Sequence, residues 1–83
     1  MKPNNDQRSM YKITDVHRQQ SFKAVVKRDP DGYGWTWKGD ITFVDGHNFS
    51  FASKRIFSTR VEAEEYMRSY ARDRIDSRLD SAG

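Results

Sequence analysis

The segment Phe57-Ser-Thr-Arg-Val-Glu-Ala-Glu-Glu-Tyr66 constrains the fold more than any other part of the chain. It reads as the end of a strand running straight into a capped amphipathic helix. Thr59 is placed to accept the backbone N–H of Glu62 while the Glu62 side chain reaches back to the Thr59 N–H, a capping box. Before this junction apolar residues alternate with period two, and after it they recur at three and four residues. The pattern dictates a sheet followed by one helix.

The strands can be read by register. Phe22, Ala24 and Val26 share one face of a first strand, with Lys23, Val25 and Lys27 on the other. Asp29-Pro-Asp-Gly32 reads as a turn, because proline presets φ and glycine admits positive φ. In the next segment Tyr33, Trp35, Trp37, Ile41 and Phe43 occupy odd positions, and Thr36, Lys38, Asp40 and Thr42 even ones. A loop over 29–32 pairs residue 28 with 33, setting Val26 opposite Trp35, Ala24 opposite Trp37 and Phe22 opposite Gly39.

At the second turn a two-residue loop at Asp45-Gly46 would put apolar residues on both faces. A bulged three-residue loop over 44–46, with Gly46 left-handed, pairs 43 with 47 and 41 with 49 and keeps Ile41, Phe43, Phe49 and Phe51 together. The third strand then runs from about His47 to Phe57. Tyr11 and Ile13 alternate like a short additional N-terminal strand, although Met10, Ile13 and Val16 also fit a helical turn.

From Arg60 to about Ser77, Ala63, Tyr66, Met67, Tyr70, Ala71 and Ile75 form the stripe of a helix lying on a core. Glu62, Glu64 and Glu65 precede Arg68, Arg72, Arg74 and Arg78, which complements the helix dipole. Glu64–Arg68 and Arg72–Asp76 have the spacing of ion pairs. Arg74 interrupts the stripe, which predicts that the helix runs off the sheet beyond residue 73. The expected fold is α+β: a three-stranded antiparallel meander, with an extra short N-terminal strand as the open alternative, packed by one C-terminal helix in two layers.

Eighty-three residues allow one small core, and there are no cysteines to staple it. Five Phe, four Tyr and two Trp are the expected substitute. Residues 1–9 read as a disordered leader without a signal-peptide core, 10–79 as the single domain, and 80–83 as a frayed tail. No run of apolar residues is long enough to span a bilayer, so no membrane partner is expected, and the lack of cysteine fits an expected cytoplasmic setting. Net charge is +3, with residues 1–28 contributing +5 (seven Lys/Arg against Asp6 and Asp15) and the rest −2.

Catalysis finds no constellation. His17 and His47 stand apart in sequence and read as surface or turn histidines, and no serine sits in a nucleophile elbow. Asp29-Pro-Asp-Gly-Tyr-Gly34 echoes a calcium loop, but Tyr33, Trp37 and Asp40 occupy its fifth, ninth and twelfth positions, so a hairpin turn is the reading. Gly32, Gly34 and Gly39 precede no helix N-terminus and make no phosphate loop. Neither a metal nor an organic cofactor is expected, and the chain reads as a non-enzymatic binding module.

Two surfaces remain. The uncovered sheet face should present Lys23, Lys27, Lys38 and Lys54 with Thr36 and Thr42, cations and hydroxyls suited to phosphates and base edges of double-stranded DNA. The aromatic set should be mostly core, with Tyr33 and Trp35 the candidates for an exposed anchor toward a protein partner or a second copy.

Phe57, Thr59, Glu62, Ala63 and Tyr66, following a three-stranded sheet, resemble the strand-to-helix junction of two DNA-binding families. These are the AP2-type domain of plant transcription factors and the arm-binding N-terminal domain of phage integrases, with a loose topological match over about residues 11–76. The resemblance implies DNA binding through the exposed sheet face, which assigns Lys23, Lys27, Lys38 and Lys54 to contacts. The chain also looks like small bacterial and phage proteins of β-β-β-α type, among them accessory or inhibitor proteins, which carries the protein-interaction alternative.

Overall fold

The computed structural model describes residues 10–29 and 33–81. The expected leader at 1–9, the turn residues 30–32 and the last two residues lie outside the described residues. Four strands, β1 (Met10–His17), β2 (Gln20–Arg28), β3 (Trp35–Thr42) and β4 (Asn48–Ala52), form one antiparallel sheet in chain order, and α1 (Arg60–Ser81) packs on it. The fold is the expected α+β arrangement, with the N-terminal strand a full member of a four-stranded sheet.

β1 enters β2 through Arg18-Gln19, both with positive φ (51° and 69°). That is a two-residue turn of the twist hairpins favour, built without the usual Asn or Gly. Between β2 and β3 the register differs from the expected one by two residues: Val26 pairs with Trp37, Ala24 with Gly39 and Phe22 with Ile41. The loop is longer than four residues, and the Asp29 N–H donates to the Gly34 carbonyl at 2.7 Å inside it.

The observed register sets two small residues together. A Cβ on Gly39 would lie 2.7 Å from the Ala24 Cβ and 2.1 Å from the Lys23 carbonyl oxygen, so this position admits glycine alone without movement. A slip of two preserves the face of every side chain, so the core residues are the expected ones although their cross-strand partners are not.

The bulged turn is as expected. Ile41 pairs with Phe49, the Phe43 N–H donates to the His47 carbonyl at 2.8 Å, and Gly46 has φ +98°. The last strand is shorter than expected. Pairing stops at Ala52, the chain makes an excursion over 53–56, and Phe57 returns as an isolated bridge to Trp35. Ser53 seals the break, its N–H donating to the Trp37 carbonyl and its hydroxyl accepting the Trp37 N–H.

The helix begins as the sequence implies, with the Glu62 N–H bound to Thr59 Oγ1 at 3.1 Å. Its reciprocal bond differs by one residue, since the Glu62 carboxylate accepts from the Ser58 N–H. Ala63, Met67, Ala71 and Ile75 are buried completely, one turn apart, and rest mainly on β2 and β3. Around Trp37 the rings of Phe51, Phe57 and Tyr70 stand 5.8, 6.3 and 5.6 Å away, filling a core of this size with aromatic area.

The helix does not leave the sheet at residue 73. It continues to Ser81, past the expected end near Ser77 and through Asp80, where a frayed tail is expected from the sequence. Arg74 tolerates its place in the stripe because its guanidinium lies 4.6 Å over the Phe49 ring, and Arg78 does the same over Phe43 at 4.8 Å.

Candidate functional site

The pairing of the strands turns the face away from the helix into a grid. Its rows are Met10–Lys27–Thr36, Lys12–Val25–Lys38–Ala52, Thr14–Lys23–Asp40–Ser50 and Val16–Ser21–Thr42–Asn48. Four lysines stand on this face, against the single carboxylate of Asp40. Lys23 to Lys27 spans four strand residues, about 13 Å, and Lys12 to Lys38 spans two strand spacings, about 10 Å. A shallow trough of about 760 Å³ lies among Lys12, Lys23 and Lys38, floored by the side chains of Val25 and Ala52 and the backbone at Gly39. Val25 and Ala52 are short beside the lysines that form the rim, which leaves the depression.

Of the sequence-expected residues, Lys23, Lys27, Lys38, Thr36 and Thr42 share this face. Lys54 lies in the excursion after β4, exposed and outside the grid. Lys12 is the member that sequence reasoning missed. Its signal is the Tyr11/Ile13 alternation, which puts Lys12 on the outer side once residues 10–17 are taken as a strand. The expected aromatic anchors divide. Tyr33 is 84% exposed, whereas Trp35 is 8% exposed, held against Tyr11 and beneath the Arg28 guanidinium.

The opposite side uses its cations differently. Arg28 covers Trp35, Arg55 lies 4.7 Å from both Phe57 and Tyr66, and Arg60 covers Tyr11 and pairs with Glu64. Arg68 reaches Asp15 and Glu64, and Arg18 bridges Asp76 and Asp80 at 3.0 Å each. Among the described residues, Arg72 is the one arginine without such a contact, and no lysine has one. Among the described residues the fold uses every arginine but Arg72 and leaves the lysines over.

Two turns at one end of the sheet are clipped to the helix. His17 Nε2 bonds Asp76 Oδ1 at 2.8 Å, so the sequence-expected Arg72–Asp76 pair gives way to His17 and Arg18. These bonds, His17 first and then Arg18, hold the Asp76 carboxyl below its ordinary value. Asp45 is lowered to about 2, chiefly by the His47 backbone N–H and then by Arg78. The buried Gln20 joins the two turns, donating to the Arg18 carbonyl and accepting the Val44 N–H, both at 2.8 Å. Both histidines therefore serve turns.

Comparison with known families, curated proteins and solved structures finds no match. The functional reading rests on the two faces. The grid offers cations and hydroxyls over an area about as wide as a DNA major groove, ~12 Å. It carries no aromatic ring among the described residues, so it has no platform on which an unpaired base could stack.

Proposed function

We propose that the chain is a non-enzymatic binding module that holds double-stranded DNA against its open sheet face. Lys12, Lys23, Lys27 and Lys38 contact phosphates, and Thr36 and Thr42 donate hydroxyls beside them. The observation that carries this reading is the segregation of cation types. Unpaired lysines line the open face while, among the described residues, every arginine but Arg72 is tied to a ring or a carboxylate. The absent stacking platform favours a duplex over a single strand.

Four phosphate contacts predict a slope of log affinity on log salt near −3.6, so binding falls by about 10²-fold between 50 and 200 mM salt. A fluorescence-anisotropy titration with a 20-base-pair duplex reads this directly. Affinity that is absent at 50 mM, or indifferent to salt, sinks the proposal.

A protein partner is the second reading, favoured by Tyr33, exposed by 84% in the loop before β3. An aromatic anchor there gives binding that salt hardly alters and that Tyr33→Ala removes.

A further inference from the structure

The sheet has two edges, and they are built differently. β4 has five residues and ends in the 53–56 excursion, so its free edge is short and interrupted. β1 has eight residues without proline, glycine or bulge, and it pairs with β2 residue for residue from Met10 to His17. The helix packs on β2 and β3, which leaves the outer side of β1 beyond the helical layer.

The two-residue turn makes His17 and Gln20 a hydrogen-bonded pair. Odd-numbered residues of β1 therefore bond to β2, and the N–H and C=O groups of Met10, Lys12, Thr14 and Val16 point outward. The Val16 N–H accordingly finds the Asp15 carboxylate, at 2.8 Å, rather than β2.

This edge is complementary to itself. Antiparallel pairing of two copies about a two-fold axis at Ile13 sets Met10 opposite Val16 of the partner subunit and Lys12 opposite the partner's Thr14. Outward groups then meet outward groups, as the ladder requires. Met10 and Val16 are 50% and 61% exposed, the large exposed apolar side chains on the open-face strands, and this register covers each with the other. The register centred on Lys12 would oppose two lysines, and the one centred on Thr14 would separate Met10 from the partner's Val16. On the helix side Tyr11 meets the partner's Asp15, which brings that carboxylate to Arg60, whose guanidinium lies 4.5 Å over the Tyr11 ring.

We propose that two copies of this chain associate along β1 into one continuous eight-stranded sheet, with both helices on one side and both lysine faces on the other. The Val16 N–H exchanges its bond to Asp15 for the carbonyl of the partner's Met10. The association does not depend on nucleic acid and is tested without it, at high salt.

Sedimentation combined with amide hydrogen exchange over a range of protein concentrations is the experiment. The expected result is a dimer in which the Lys12 and Thr14 amides become protected as concentration rises. A protein that stays monomeric, or a dimer whose Lys12 and Thr14 amides exchange freely, overturns the proposal. Thr14→Pro removes an outward N–H that β2 does not use and should yield a folded monomer. Val16→Lys, at an exposed position, should do the same and decides the matter if the proline variant unfolds. A dimer that survives the substitution in a folded protein overturns the inference.

Discussion

The two faces of one sheet, separated by a single layer of backbone, treat positive charge in opposite ways. On the helix side a guanidinium is a building material: it lies over Trp35, Phe57, Tyr66, Phe43 or Phe49, or it ties a turn to α1 through Asp45, Asp76 and Asp80. On the open side the cation is an ammonium on a flexible stem beside Val25 and Ala52, with no ion pair or ring contact among the described residues. Arginine has the planar fork and weak hydration that stacking needs, whereas lysine is a hydrated point charge. Net charge alone, +3 here, therefore says little about binding until each cation is sorted by what it already touches.

The largest effect that probes this contrast is in the core. Met67→Ala, at a side chain with no exposure, should destabilise the protein by about 2–5 kcal/mol in a urea titration. Replacing Lys12, Lys23, Lys27 and Lys38 together by Gln should leave stability within ~0.5 kcal/mol for each substitution. A large loss from the lysine replacements removes the distinction between the faces, because the open one would then be structural.

Next in size is Gly39→Ala. The added methyl group meets Ala24 and the Lys23 carbonyl, and overpacking of this kind costs about 1–3 kcal/mol. An unchanged midpoint would show that the sheet gives way at this point more easily than the packing implies.

A smaller effect is expected from Arg74→Gln, which removes a guanidinium over Phe49 at the solvent edge. Thermal unfolding should register about 0.5–1 kcal/mol. No change would mean that the arginine side is as idle as the lysine side.

Acid gives the gentlest test. The folded-state carboxyls of Asp45 and Asp76 are depressed, so what they contribute is complete above the ordinary aspartate value, 3.8, and is lost as pH falls through the folded value. For Asp45 that value is about 2, so the window runs from about pH 4 down to about 2. Stability followed by circular dichroism should decline across it, and Asp45→Asn should flatten part of the decline.

Much of this contrast is legible in the amino-acid sequence alone, for a definite reason. Alternation assigns faces by parity, and parity survives a register error of two residues at the β2–β3 hairpin. The bulged turn at Gly46 is legible because the competing register flips apolar residues outward. The capping box places the start of α1.

What is not legible has specific causes. Arg18-Gln19 lacks the Asn-Gly or Asp-Gly signal of a tight hairpin, so β1 reads ambiguously and Lys12 escapes notice. Arg74 looks like the end of the helix stripe because spacing cannot reveal that a long stem lies across a ring. The excursion over 53–56 leaves no mark in the pattern, and it removes Lys54 from the face to which alternation assigns it.

If the lysines of the open face, and not the arginines opposite, are free to meet a ligand, NMR can show it residue by residue. The measurement follows the side-chain ε-CH₂ signals of the lysines while a 20-base-pair duplex is added at 50 mM salt. Lys12, Lys23, Lys27 and Lys38 should shift, and the shifts should collapse at 200 mM, with Lys54 and the arginine δ-CH₂ signals moving far less. Shifts concentrated on the arginines, or none on these four lysines, would contradict the division of the two faces.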